Sequence, residues 1–135
     1  MNTHLIAYLA TAIVLLGIDF VWLSLMGRLL YRRTLGDALV QNFRVIPAVA
    51  FYLLYPAGIM TFAVFPALDG SLWQTALVQG ALFGFFAYAT YNLTNHATLR
   101  NWSTTITLVD LGWGTTLTAV SATSGYLIAN LISKF

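Results

Sequence analysis

The chain has 135 residues, of which 59% are hydrophobic and only 7% are charged, and its mean hydropathy is +0.80. Soluble domains carry about 25% charged residues, so this composition predicts an all-α membrane protein, with room in one domain (residues 1–135) for four transmembrane helices of about 20 residues. The sequence contains no cysteine, which excludes disulfides, thiol catalysis and cysteine-ligated metal sites, and a net charge of +2 does not indicate nucleic acid binding.

The first predicted span runs from Leu5 to Met26, and Asp19 is its only charged residue. The segment that follows, residues 27–45, carries four arginines against the single acid Asp37, with apolar residues dispersed among them. This pattern predicts an amphipathic helix that lies in the headgroup plane of the membrane. A polar loop is the alternative interpretation.

The second predicted span runs from Ile46 to Phe65, and its boundaries follow from its prolines. Pro47 suits the first turn of a helix, and Pro66 is expected to end it. Pro56 lies inside the span and is expected to kink it, which would free a backbone carbonyl near Tyr52.

A tight turn is predicted at residues 68–71, where aspartate, glycine and serine follow one another. The third span then covers Leu72 to Asn95, a polar connection covers His96 to Ser103, and the fourth span covers Thr104 to Ile132. The fourth span is rich in glycine, serine and threonine, so we expect it to be central and closely packed by its neighbours.

The distribution of basic residues predicts the orientation of the spans. The first connection holds four arginines, the third holds Arg100, the second holds no basic residue, and the C-terminal tail holds only Lys134. By the positive-inside rule, the first and third connections are cytoplasmic and both termini are extracytoplasmic.

Two acidic residues inside the predicted spans are each followed three positions later by tryptophan. The pairs are Asp19 with Trp22 and Asp110 with Trp113. A carboxylate at a helix centre costs about 2.5–3.5 kcal/mol on insertion scales, so its retention indicates a role. With 1.5 Å of rise per residue, Asp19 lies about 12 Å and Asp110 about 9 Å from the cytoplasmic ends of their spans.

Two carboxylates at one depth repel each other when both are charged, so we expect one of them to be protonated near neutral pH. Such a pair suits acid–base catalysis, proton-coupled movement or the binding of a cation, and Asp19 and Asp110 are therefore the candidate catalytic residues. A divalent site that also uses His96 is a minor alternative, and no metal site is predicted.

The third span presents glycines, tyrosines and an asparagine along one helical stripe. Its members are Gly80, Gly84, Tyr88, Tyr91 and Asn95. The two glycines form a Gly-x-x-x-Gly element that allows another backbone to approach closely. Polar residues from all four spans are thus expected to form one pocket in the cytoplasmic half of the membrane. The candidate ligand-binding residues are Asp19, Trp22, Tyr52, Tyr55, Tyr88, Tyr91, Asn92, Asn95, Asp110 and Trp113.

The leading hypothesis is a pocket that binds a lipid-like or other hydrophobic small molecule. A lipid-modifying intramembrane enzyme and a small proton-coupled transporter, which would be a homodimer, remain alternatives. In a fourth, purely structural interpretation, the carboxylates fasten helices, the glycines pack and the tyrosines lie in the interfacial belt. The cofactor and the substrate remain unknown at this stage, and membrane lipids are the expected partners.

Several long motifs resemble one known family. They are the stretch from Tyr91 to Leu99, the stretch from Val109 to Thr115, the Asp19/Trp22 element and residues 51–55. Over nearly the whole chain the sequence resembles a family of small bacterial inner-membrane proteins designated a domain of unknown function. The resemblance implies a four-span, multi-pass protein of the bacterial inner membrane, in which aspartate more often stands where this chain has Asn92.

Overall fold

The computed structural model describes residues 2–31 and 44–134. Four helices make up these residues, which confirms the prediction of an all-α protein. Helix α1 spans Thr3–Met26 and continues into a π-helical turn, Gly27–Tyr31. Helix α2 spans Val45–Gly70, helix α3 spans Trp73–Thr98, and helix α4 spans Thr104–Ile132. The predicted amphipathic helix over residues 27–45 lies largely outside the described residues.

Helices α1 and α2 are each long and apolar enough to cross a membrane by length and composition. Side-chain caps start two of the four helices: the side chain of Asn2 accepts a hydrogen bond from the His4 amide at 2.8 Å, and that of Ser103 accepts one from Ile106 at 3.1 Å. Each cap satisfies an amide that has no partner inside its helix.

Helix α2 continues beyond the predicted end at Phe65, and the prediction that Pro66 terminates it is wrong. After the α-helical part, Val45–Ile59, the chain forms a π-helical segment, Met60–Val64, and then returns to α-helix over Phe65–Gly70. Pro66 lies in the first turn of this last part, directly after the π-helical segment, at a position where helices tolerate proline.

The turn after α2 is therefore displaced towards α3. Ser71 ends the helix with a left-handed backbone conformation, at φ 56°, so the turn begins where the predicted one ends. Pro56 is buried within α2, and the carbonyl of Leu53, three residues before it, accepts a hydrogen bond from the Tyr8 hydroxyl at 2.9 Å. The kink predicted at Pro56 stays a prediction.

Helix α4 is the central helix, as expected from its small residues, because it packs against both α1 and α3. The buried face of α3 runs through Ala76, Gly80, Gly84 and Asn92. The predicted stripe is therefore correct through Tyr88, whose ring packs against Gly114 of α4, but wrong beyond it, since the buried asparagine is Asn92 and not Asn95. The physical reason is that α3 packs along positions four apart, whereas the predicted stripe shifts to a spacing of three after Tyr88.

The outer surface of the bundle is strongly apolar. Ile13, Phe20 and Leu54 are 67%, 72% and 71% exposed, respectively. Exposed apolar residues in such number are unfavourable in water and are what a bilayer requires of a helical surface.

The closest approach between α3 and α4 predicts a stability difference between two glycine substitutions. A Cβ atom at position 84 would lie 2.5 Å from the carbonyl oxygen of Gly114 and 2.6 Å from Oγ1 of Thr118, whereas one at position 112 meets nothing within 4 Å. We expect Gly84→Ala to lower the free energy of unfolding by about 1–3 kcal/mol, and Gly112→Ala to leave it unchanged or raise it by up to about 1 kcal/mol. Unfolding in detergent by titrated SDS measures both, and equal stabilities would contradict the close packing.

Candidate functional site

The carboxylate of Asp19 is buried, with 6% of the residue exposed, and it accepts hydrogen bonds on both oxygens. The hydroxyl of Tyr52 donates to Oδ2, and the indole Nε1 of Trp113 donates to Oδ1 at 3.3 Å. Because the three residues belong to α1, α2 and α4, one side chain connects three helices. A buried charged group needs such donors, since the hydrocarbon around the bundle supplies none.

The two Asp-x-x-Trp elements contact each other directly. Trp22 and Trp113 stack with their ring centroids 4.2 Å apart and their planes 5° from parallel. Trp113 also donates to Asp19, so the tryptophan of one element binds the aspartate of the other. The sequence predicted these tryptophans as ligand-binding residues of a pocket, and in the structure they form a stacked pair at the α1–α4 contact.

Asp110, 9% exposed, belongs to a second hydrogen-bonded group, between α3 and α4. Nδ2 of Asn92 donates to its Oδ2 at 2.7 Å and to the carbonyl oxygen of Tyr88 at 2.8 Å. Asn92 is completely buried, and its Oδ1 has no hydrogen-bond partner among the described residues. Each carboxylate thus belongs to a hydrogen-bonded group of its own, whereas Tyr55, Tyr91 and Asn95 form hydrogen bonds outside both groups.

Tyr88 lies between these two groups. Its side chain is within electrostatic range of both Asp19 and Asp110. Its ring lies directly over Gly114, where any side chain carbon would overlap the ring atoms. Since α3 and α4 are in contact at this point, the glycine fixes the position of the tyrosine ring.

Thr118 is a polar residue of the site that the sequence did not single out. Its hydroxyl and that of Tyr55 share a hydrogen bond of 2.7 Å between α2 and α4. Its spacing from Asp110 could have identified it from the sequence. Thr118 follows Asp110 by eight residues, about two helical turns, and so lies on the same face of α4.

A cavity of about 380 Å³ opens between α2 and α3, and Tyr88 in its lining lies within electrostatic range of both carboxylates. Its lining residues are Phe51, Tyr55, Ala87, Tyr88 and Tyr91. Three of them are candidates from the sequence, whereas Phe51 and Ala87 are new. Phe51 stacks on Tyr55, with ring centroids 5.2 Å apart. Its position one helical turn before Tyr55 could have identified it from the sequence as a residue of the same site. Nothing in the sequence distinguishes Ala87.

The remaining candidates lie nearer the α3–α4 connection. Tyr91 is 57% exposed and lies within hydrogen-bonding reach of Asn95, which is not a lining residue of the cavity. Nδ1 of His96 contacts Oγ1 of Thr107 at 3.2 Å. Within residues 2–31 and 44–134, no three histidine, aspartate or glutamate side chains are grouped as a metal site would require.

An all-helical bundle with an apolar surface and carboxylates in its interior is a polytopic membrane protein. The family comparison agrees: residues 4–127 match the family described as "Predicted membrane protein (DUF2177)". The chain belongs to this family, whose function is unknown, and the resemblance seen in the sequence motifs is thereby confirmed. No curated protein and no solved structure matches the chain.

The hydrogen bond to Asp19 predicts a difference between two tyrosine substitutions. Tyr52 donates to a carboxylate, whereas Tyr8 donates to the neutral carbonyl of Leu53. Hydrogen bonds to charged groups are worth more, so we expect Tyr52→Phe to lower the free energy of unfolding by about 1–2 kcal/mol and Tyr8→Phe by about half as much. SDS titration in detergent measures both values. A larger loss for Tyr8→Phe would contradict the role assigned to Asp19.

Proposed function

We propose that the protein binds a hydrophobic or amphiphilic small molecule, of lipid-like chemistry, in the cavity between α2 and α3. The observation that carries this proposal is the cavity itself, about 380 Å³ in volume and lined by four aromatic residues and Ala87. Small-molecule sites usually occupy about 300–1,000 Å³ and have mainly apolar and aromatic walls with few polar groups. At the lower end of this range, the cavity suits a small molecule or a segment of one acyl chain, not a whole phospholipid.

The position of the cavity supports a ligand that arrives through the bilayer. Phe51 and Tyr91, at its rim, are 38% and 57% exposed, and Leu54, nearby on α2, is 71% exposed. A molecule dissolved in the membrane can therefore reach the cavity laterally, without crossing water.

The carboxylates give the site a polar side. Phe51 lies about 9 Å from the start of α2 and Asp110 about 9 Å from the start of α4, at 1.5 Å per residue. The cavity and the acidic residues therefore occupy the same end of the bundle. An amphiphile bound there would place its chain among the aromatic rings and its polar group towards Tyr88 and the carboxylates.

The basic residues of the connections support a location of this end in the cytoplasmic half of a bacterial inner membrane, with both termini outside. Asp19 and Asp110 then lie on the cytoplasmic side of the bilayer centre. The ligand, by this proposal, is taken from the inner leaflet.

A variant that fills the cavity tests the binding proposal. The side chain of Ala87→Trp would occupy the space, while Ala97→Trp adds the same side chain at an exposed position near the end of α3. We expect native mass spectrometry of the detergent-solubilised protein, titrated with monoolein, to show one bound molecule for the wild type and Ala97→Trp, and none for Ala87→Trp. If Ala87→Trp still binds monoolein, the cavity is not the site, and the role of the carboxylates as helix fasteners is favoured.

The absence of cysteine from the sequence makes the orientation testable with single cysteines. Leu72 and Leu99 are exposed in the two short connections, at 52% and 47%. We expect a membrane-impermeant maleimide to label Leu72→Cys in intact spheroplasts and Leu99→Cys only after permeabilisation. The opposite pattern would place the cavity in the outer leaflet.

A further inference from the structure

Tyr88 lines the cavity, and its hydroxyl has no hydrogen-bond partner within the part of the chain that the structure describes. Within residues 2–31 and 44–134, the hydroxyls of Tyr52 and Tyr55 each form a hydrogen bond, and Tyr91 reaches Asn95. The hydroxyl of Tyr88 forms no hydrogen bond to any described residue, although Asp19 and Asp110 lie within electrostatic range of it. Tyrosine hydroxyls away from water usually find a partner, so this one is available to a ligand.

The ring of Tyr88 cannot easily turn towards another partner in the protein. It lies against the backbone of Gly114, and the ring of Tyr55 meets it edge-on with centroids 6.2 Å apart. A hydroxyl on a ring held from two sides is preorganised, and binding then costs little additional ordering.

The charges around Tyr88 discriminate between headgroups. Asp19 and Asp110 are within electrostatic range of its hydroxyl, and among residues 2–31 and 44–134 no lysine or arginine lines the cavity. Both oxygens of Asp19 accept hydrogen bonds from the protein, from Tyr52 and Trp113, so this carboxylate is held in place near Tyr88. In this low-dielectric site, an anionic headgroup would be repelled.

From these contacts we propose that Tyr88 selects the ligand of the cavity, as the hydrogen-bond partner of an uncharged polar headgroup on a single-chain amphiphile. A hydroxyl or ester headgroup can bond to Tyr88 without introducing a negative charge beside the carboxylates. This inference rests on the proposed binding function and deepens it, because it names the class of ligand.

The test compares two amphiphiles that differ by one phosphate. Monoolein and 1-oleoyl-lysophosphatidic acid share their chain and glycerol backbone, so any difference in affinity reports the anionic charge. We expect the wild type to bind monoolein at least about tenfold more tightly, as measured by native mass spectrometry titrations in an uncharged detergent. Equal or tighter binding of the phosphate ester would overturn the selectivity for uncharged headgroups.

Substitution of Tyr88 tests the hydroxyl itself. Tyr88→Phe keeps the ring over Gly114 and is expected to weaken monoolein binding by about five- to tenfold, the effect of one lost hydrogen bond. Tyr126→Phe is the matched control, since Tyr126 is buried in α4, outside the cavity lining, and should bind as the wild type does. Octadecene, a chain without a headgroup, should bind the wild type and Tyr88→Phe equally, which a merely misfolded cavity would not do.

The outcomes separate this inference from the proposed function. If Tyr88→Phe binds monoolein with wild-type affinity while Ala87→Trp does not bind it, the cavity is the binding site but Tyr88 does not select the headgroup. If Ala87→Trp binds monoolein as the wild type does, the proposed function itself is wrong, and the inference is overturned with it.

Discussion

The buried carboxylate of Asp19 constrains the arrangement of the helices. In an apolar environment, a carboxylate is tolerated only where hydrogen-bond donors reach it. Helix α1, which carries Asp19, supplies neither of the two donors observed. Helix α2 must therefore present Tyr52 and helix α4 must present Trp113 towards the same point. This requirement fixes the rotation of α4 about its own axis, and the stacking of Trp22 on Trp113 reinforces it.

Once α4 is oriented in this way, the remaining contacts of the site follow from helical geometry. Asp110 lies one turn before Trp113, next to α3, where Asn92 bonds to it. Gly114 follows Trp113 directly and forms the surface against which the ring of Tyr88 rests. Thr118 lies one turn further along and bonds to Tyr55 of α2. The same rotation therefore determines both carboxylate groups and one wall of the cavity.

The sequence predicted the helices better than their contacts. The length of the apolar runs and the position of the polar connection predicted the ends of α1 and α4 almost to the residue. These signals are local, because the thickness of a membrane and the capping residues determine where a helix begins and ends. The prediction that Pro66 ends the helix was wrong because a π-helical segment precedes it and changes the backbone hydrogen bonding there. No feature of the composition marks such a segment. The predicted stripe on α3 failed at Asn95 because the buried positions of α3 and α4 repeat every four residues. On α4 these include Ile106, Asp110, Gly114, Thr118, Ala122 and Tyr126. That spacing arises when ridges of one helix pack into grooves of another, which a single helix does not reveal.

The pairing of residues between helices was likewise inaccessible to sequence reasoning. The sequence predicts Asp19 and Trp113 to be members of one pocket, but it does not say which members of the pocket are in contact. Their hydrogen bond changes the chemistry expected of the site. Asp19 accepts hydrogen bonds from donors of the protein itself, whether or not a ligand is present. The cavity then has two carboxylates within electrostatic range of Tyr88, whose hydroxyl forms no hydrogen bond to the part of the chain that the structure describes. Under the proposed function, such a site would recognise a headgroup through this hydroxyl, and the buried carboxylates would disfavour an anionic one.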